Sequence, residues 1–185
     1  LINRLVGAKV SIVSPKVQTT RRRVLGVAMQ GNAQIIFVDT PGIFAPKRRL
    51  DRAMVAAAWG GTEEADRIVL LVDATKKKID GDTLAIIEGL KKSGRKAHCA
   101  INKIDAVKRE KLLGLAAELG ALFPFERTFM ISAESGDGVD DLIRDVAGTL
   151  PKGPYLFPED QLTDLPMRML AAEVTREHLF RQLHE

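Results

Sequence analysis

The fold is decided by nine residues, Ala97-His98-Cys99-Ala100-Ile101-Asn102-Lys103-Ile104-Asp105. A short, mostly apolar run, Ala97 to Ile101, is followed at once by four residues rich in polar groups. The run is too short for a helix and reads as a strand, so the polar residues fall at its carboxyl end. Two other stretches end the same way. Ile35-Ile36-Phe37-Val38 is followed by Asp39-Thr40-Pro41-Gly42, and Phe129-Met130-Ile131 by Ser132-Ala133-Glu134. Polar chemistry placed repeatedly at strand ends suggests a sheet that gathers its ligand groups along one edge.

Working outward, strands and helices alternate. Ile2, Leu5 and Val6 have the spacing of the end of an amphipathic helix. Val24 to Met29 and Gln34 to Asp39 are strand-like runs joined at Gly31-Asn32, a hairpin signal. Arg48 to Trp59 is expected to be a helix that buries Leu50, Met54, Val55 and Ala58, with Trp59 also in the core and Gly60-Gly61 as the stop. Ile68 to Asp73 is a continuous apolar run, expected to be a strand buried on both faces. Helices are expected over Thr83 to Leu90, Lys108 to Leu119 and Val139 to Leu150, and a strand over Thr128 to Ser132. The expected fold is α/β with three layers, built of βαβ units around a mainly parallel sheet, with one antiparallel edge strand from the hairpin. Pro151 to Pro166 carries four prolines and reads as an ordered linker, followed by a second amphipathic helix over Leu170 to Leu183.

Composition narrows the classes. The 185 residues are 45% hydrophobic and 28% charged, ordinary for a globular chain of one domain, or one domain plus an appendage. A single cysteine, Cys99, excludes an internal disulfide and a cysteine zinc cage, and points to a reducing, cytosolic compartment. Its place within a strand suggests core packing. The three histidines lack metal-ligand spacing. The run Ala53 to Ala58 is far too short to span a bilayer, and no charged-then-apolar signal segment opens the chain. The net charge of +4 hides an asymmetry: residues 1–50 carry nine Lys/Arg against one acid, and the rest of the chain is net acidic. The clusters Arg21-Arg22-Arg23 and Lys47-Arg48-Arg49 can face phosphate or nucleic acid, or simply water.

The three strand-end motifs occur in a fixed order, with 63 residues between the first two starts and 30 between the last two. That order and spacing resemble the P-loop GTPases, where the motifs match DxxG, NKxD and the SAK-like loop. Longer strings place the chain close to the Era-like, ribosome-assembly branch. These are Lys16-Val17-Gln18-Thr19-Thr20-Arg21, Val38 to Gly42, Ser132-Ala133-Glu134, and Phe157-Pro158-Glu159-Asp160 with Thr163-Asp164. The last two lie outside the nucleotide-binding core and separate this branch from its relatives.

The chemistry of the residue types agrees. Asp39 can hold a Mg²⁺-bound water, and Gly42 lets a backbone N–H approach a γ-phosphate because no Cβ intervenes. Asp105 can accept both N1–H and the 2-amino group of guanine, a pair adenine does not offer. Asn102 can tie this loop to its neighbours, and the Lys103 stem can cover a base face.

The resemblance implies further roles. Asp39, Thr40, Pro41, Gly42, Ile43, Asn102, Lys103, Ile104, Asp105, Ser132, Ala133 and Glu134 would line a GTP site, with the Ala133 N–H presented to guanine O6. Gln18, Thr19, Thr20, Arg21 and Arg22 would form a switch region. Thr19 and Thr20 compete as the Mg²⁺ ligand of the GTP state, and the family pattern favours Thr20. Ile43 stands where many GTPases carry a water-orienting glutamine, so no catalytic base is assigned. The phosphate-cradling string GxxxxGK[ST] is not among these residues; in the family it directly precedes the string matching Leu1 to Gly7. Residues 1–150 are therefore expected to be a GTPase domain without its first strand and P-loop, which by itself would bind nucleotide weakly. Residues 151–169 would be a linker, and 170–185 the opening of a KH-type RNA-binding domain.

The implied whole is a GTP-hydrolysing switch in small-subunit assembly. It would use Mg²⁺, GTP or GDP, and K⁺, and would bind small-subunit ribosomal RNA and the small ribosomal subunit. It would be a cytoplasmic monomer with peripheral association at the inner membrane. Two rivals share these motifs: a related GTPase of tRNA modification, and an RNA- or ribosome-binding module with a vestigial nucleotide site.

Overall fold

The structure, a computed structural model, describes residues 1–14, 20, 23–40, 60 and 65–182. The expected helix over Arg48 to Trp59 and the Lys47-Arg48-Arg49 cluster lie outside the described residues. Two compact units contain the described elements: one made of the chain's two ends, the other of residues 65–151.

In the first unit, a short helix α1 (Ile2–Val6) precedes an antiparallel hairpin of β1 (Val24–Gln30) and β2 (Ala33–Asp39). The register runs from Val24 opposite Asp39 to Gln30 opposite Ala33, with Gly31 at φ 57° turning the chain. That turn needs a positive φ, which glycine adopts without a Cβ clash. The helix α1 lies close on β1. A Cβ at Gly26 would sit 2.6 Å from Val6 Cγ2, so glycine is what lets the two approach. Asn3 on α1 then pins the following loop. Its Oδ1 accepts the N–H groups of Val10 and Ser11 at 2.9 and 2.8 Å, and its Nδ2 donates to the Ser11 carbonyl at 2.7 Å.

The proline-rich linker is ordered along the hairpin. The Gln34 side chain bonds the backbones of Leu156 and Phe157, Thr163 Oγ1 donates to the Leu25 carbonyl at 2.7 Å, and Val27 N–H donates to the Leu162 carbonyl at 2.9 Å. Thr163 thus pairs with Gly26 as an antiparallel bridge beside β1. The final helix, labelled α5 below, spans Met167–Gln182. It starts three residues before the expected Leu170, because the Pro166 carbonyl already accepts the N–H groups of Met169 and Leu170. Its Glu177 is buried and forms an ion pair with Lys9 of the loop after α1.

In the second unit, β3 (Val69–Asp73), β4 (His98–Asn102) and β5 (Thr128–Ile131) form a parallel ladder in that order. The crossovers are α2 (Gly81–Ser93), α3 (Arg109–Leu122) and, after β5, α4 (Val139–Thr149). Leu70 and Val72 stand in register with Cys99 and Ile101, and with Ile87, Leu90, Leu112 and Leu119 of α2 and α3 they form the apolar core. Cys99 is core, as expected, and burial pushes its thiol up to about 12.

The expectation that β3 is buried on both faces needs correcting. Leu70 and Val72 are buried, but Val69 and Leu71 are 37% and 47% exposed. β3 is an edge of this ladder, and α2 and α3 cover only the face that carries Leu70 and Val72. The hairpin and the parallel strands are hydrogen-bonded as two ladders, not as one continuous sheet.

Candidate functional site

The unit of residues 65–151 carries two of the three motifs. β4 delivers Asn102 and Lys103 at its carboxyl end, with a 3₁₀ turn at Ile104–Ala106 directly after. β5 delivers Ser132 beside it, since Asn102 and Ile131 are in register. Asn102 Oδ1 accepts the Ala133 N–H at 2.9 Å, the tie between loops that this residue type suggests. It also corrects one expectation. The Ala133 N–H was assigned to guanine O6, but here it is given to Asn102, because adjacent strand ends place the two groups side by side.

Lys103 stands in the left-handed region at φ 67°, the one non-glycine residue there among the described residues. A Cβ makes that conformation costly, on the order of 1 kcal/mol. Its Nζ lies 2.8 Å from Asp73 Oδ2 at the end of β3. Asp105 is exposed in the 3₁₀ turn. Ile104 turns inward and packs against the apolar core, so its side chain supports the loop rather than facing a ligand. Ser132 is fully buried. Its Oγ accepts the Ser135 N–H at 3.0 Å and its carbonyl the Gly136 N–H at 2.8 Å, so it shapes the turn. Glu134 is exposed.

The other unit carries the remaining motif. Asp39 ends β2 and is half-buried, with Thr40 following it. Two hydroxyls converge on Asp39 Oδ2: Thr20 Oγ1 at 3.3 Å and Ser11 Oγ at 3.4 Å. Burial pushes the Asp39 carboxyl above its ordinary value, and the hydroxyls offset this only in part. One carboxylate with two hydroxyl oxygens and no nitrogen or sulfur suits a hard, small divalent cation such as Mg²⁺. No group of three or more His, Cys, Asp or Glu able to hold a metal by itself occurs among the described residues. That also fits Mg²⁺, which keeps waters and shares its sphere with phosphate. Pro41, Gly42, Ile43, Gln18, Thr19, Arg21 and Arg22 lie outside the described residues.

Sequence reading missed Ser11 and Asp73. Ser11 belongs to no motif, and only the Asn3 clamp brings its hydroxyl to Asp39. Asp73 had a usable signal: like Asp39, it is an acid ending an apolar strand.

Comparison with known proteins assigns the family. The profile described as "50S ribosome-binding GTPase" matches residues 1–103. The chain belongs to this GTPase family. Over its whole length it is 59% identical to GTPase Era of Rhizobium meliloti (strain 1021) and 60% identical to GTPase Era of Agrobacterium fabrum (strain C58), covering 59% and 58% of them. It therefore spans about three fifths of the length of these curated relatives. Two solved structures are similar. One is Era in complex with MgGDPNP and nucleotides 1506–1542 of 16S ribosomal RNA, at TM-score 0.88 and 43% identity, covering 95% of this chain and 60% of that one. The other is an Aquifex aeolicus Era variant bound to GDP.AlF4⁻, at TM-score 0.91 and 42% identity, covering 100% and 63%. This GTPase family accounts for the expected α/β architecture, here a parallel three-stranded ladder with an antiparallel pair. No helix among the described residues is long and apolar enough to cross a membrane.

Proposed function

We propose that the chain is part of an Era-type switch protein that binds and hydrolyses GTP and engages small-subunit ribosomal RNA during assembly of the small ribosomal subunit. The observation that carries this reading is the loop pair at the ends of β4 and β5. There Asn102 ties Ala133, Lys103 is fixed in a left-handed turn, and Asp105 is left exposed. An exposed carboxylate on an ordered loop can accept two protons from the guanine edge. It discriminates strongly because the wrong base leaves those acceptors unpaired. The likeness to Era bound to MgGDPNP and 16S ribosomal RNA supports both the ligand and the partner.

Asp39, with Thr20 and Ser11 beside it, would hold Mg²⁺. When bound, that ion neutralises charge on the phosphates. Thr40, Pro41 and Gly42 continue the same segment, and Gly42 would bring a backbone N–H to the terminal phosphate. Ile43 has no donor or acceptor, so it cannot orient the attacking water, and we assign that task to no side chain of this chain. A bound K⁺ or the RNA partner is expected to supply what Ile43 lacks. Residues 170–185 are read as the opening of an RNA-binding KH-type domain after a linker at 151–169. The protein is read as a cytoplasmic monomer that associates peripherally with the inner membrane.

The test is equilibrium binding of fluorescent GDP and ADP to the full-length protein with Mg²⁺. GDP binding at least about 100-fold tighter than ADP is expected. Equal affinity for the two bases would overturn the reading.

A further inference from the structure

We propose that Asp73, at the carboxyl end of β3, is a positioning residue for guanine-nucleotide binding that acts by holding Lys103. The two oxygens of Asp73 are used differently. Oδ1 accepts the Thr75 N–H at 2.9 Å and the Thr75 hydroxyl at 2.6 Å, which fixes the carboxylate plane. Oδ2 lies 2.8 Å from Lys103 Nζ. Burial alone would raise this carboxyl, but the Lys103 and Thr75 hydrogen bonds outweigh it and hold the group below its ordinary value. Asp73 is therefore an anion over the working pH range.

Lys103 needs such an anchor. Its backbone adopts a conformation that L-residues avoid, and its side chain is half exposed. A long, flexible cation there would otherwise sample many rotamers, and ordering it during binding would cost entropy. The Asp73 segment is itself braced. Ala74 N–H donates to the Asn102 carbonyl at 2.9 Å, and Lys111 Nζ donates to the carbonyls of Ala74 and Lys76 at 2.7 and 2.9 Å. Asp73 stands in register with Asn102 across the β3–β4 pair, so the ladder carries the acid to the lysine. The loop Asn102–Asp105 is thus held from one side by β5 through Ala133 and from the other by β3 through Asp73.

The inference rests on the guanine-nucleotide reading above. Its test is Asp73→Asn in the full-length protein. Asparagine keeps the oxygen that Thr75 needs and replaces the oxygen facing Lys103 with an NH₂ donor, at nearly constant volume. The probe is fluorescent GDP, titrated into four proteins: wild type, Asp73→Asn, Lys103→Met and the double variant. We expect Asp73→Asn to bind GDP about fivefold more weakly, since the pair is partly exposed. The nucleotide-free protein should melt within about 2 °C of wild type. In the Lys103→Met background the same change should cost less than about 1.5-fold, because its route of action is gone. An equal loss in both backgrounds would show a merely structural role and overturn the proposal. Unchanged GDP affinity in Asp73→Asn would also overturn it. Failure of the wild-type protein to bind GDP at all would instead sink the nucleotide reading, and this inference with it.

Discussion

At the scale of single residues, backbone geometry sets the hardest limits. Gly138 opens α4 at φ 69°, and a Cβ there would meet the Met130 carbonyl oxygen at 2.2 Å. The obstacle is strand backbone, which cannot swing aside as a side chain can. Gly138→Ala is therefore expected to destabilise the protein by about 2–4 kcal/mol, read as a lower midpoint in urea unfolding. A change under about 0.5 kcal/mol would contradict the packing described here. The same scale shows what sequence could and could not reveal. Asn102 was readable as a loop tie because an amide at a strand end needs a partner. The identity of that partner was not, since the Ala133 N–H becomes available to it only when β4 and β5 lie in register. Asp73 was missed because an acid ending an apolar run has no spacing signature. Its role depends on where Lys103 Nζ comes to rest.

At the scale of elements, helix starts were legible in type and shifted in place. Asp80 caps α2: its Oδ1 accepts the Thr83 N–H at 2.7 Å, and its other oxygen pairs with Lys76. Sequence reading began this helix at Thr83, two residues late, because the first turn, Gly81-Asp82, looks like loop. Burial alone would raise the Asp80 carboxyl, yet the bonds from Lys76 and Thr83 hold it down at about 2. The depressed folded value means the charged form is stabilised by folding. The contribution is fully present above the ordinary aspartate value and fades as pH falls towards 2. Asp80→Ala should cost about 1 kcal/mol at pH 7, and the difference from wild type should shrink between pH 4 and pH 2. Denaturant unfolding at both ends of that window checks it; a difference that grows on acidification would contradict the cap. The half-open face of β3 was not legible. A run of apolar residues reads the same whether one or two faces are covered, and only the packing of α2 and α3 decides.

At the scale of the whole molecule, the order of three motifs on three strand ends carried the family assignment, and the comparisons agree with it. Catalysis follows from what that segment lacks. With Ile43 in place of a water-orienting side chain, the full-length protein is expected to turn over GTP slowly on its own, and Ile43→Ala should change basal turnover less than about twofold. Rapid hydrolysis in sodium buffer without RNA would contradict this. The central claim is guanine recognition by Asp105, and the most direct measurement is competition between GTP and XTP for full-length Asp105→Asn. An amide offers one donor and one acceptor, which suits the 2-oxo group of xanthine rather than the 2-amino group of guanine. The account predicts a loss of guanine preference of about 100-fold with XTP now favoured; an unchanged preference for GTP would contradict it.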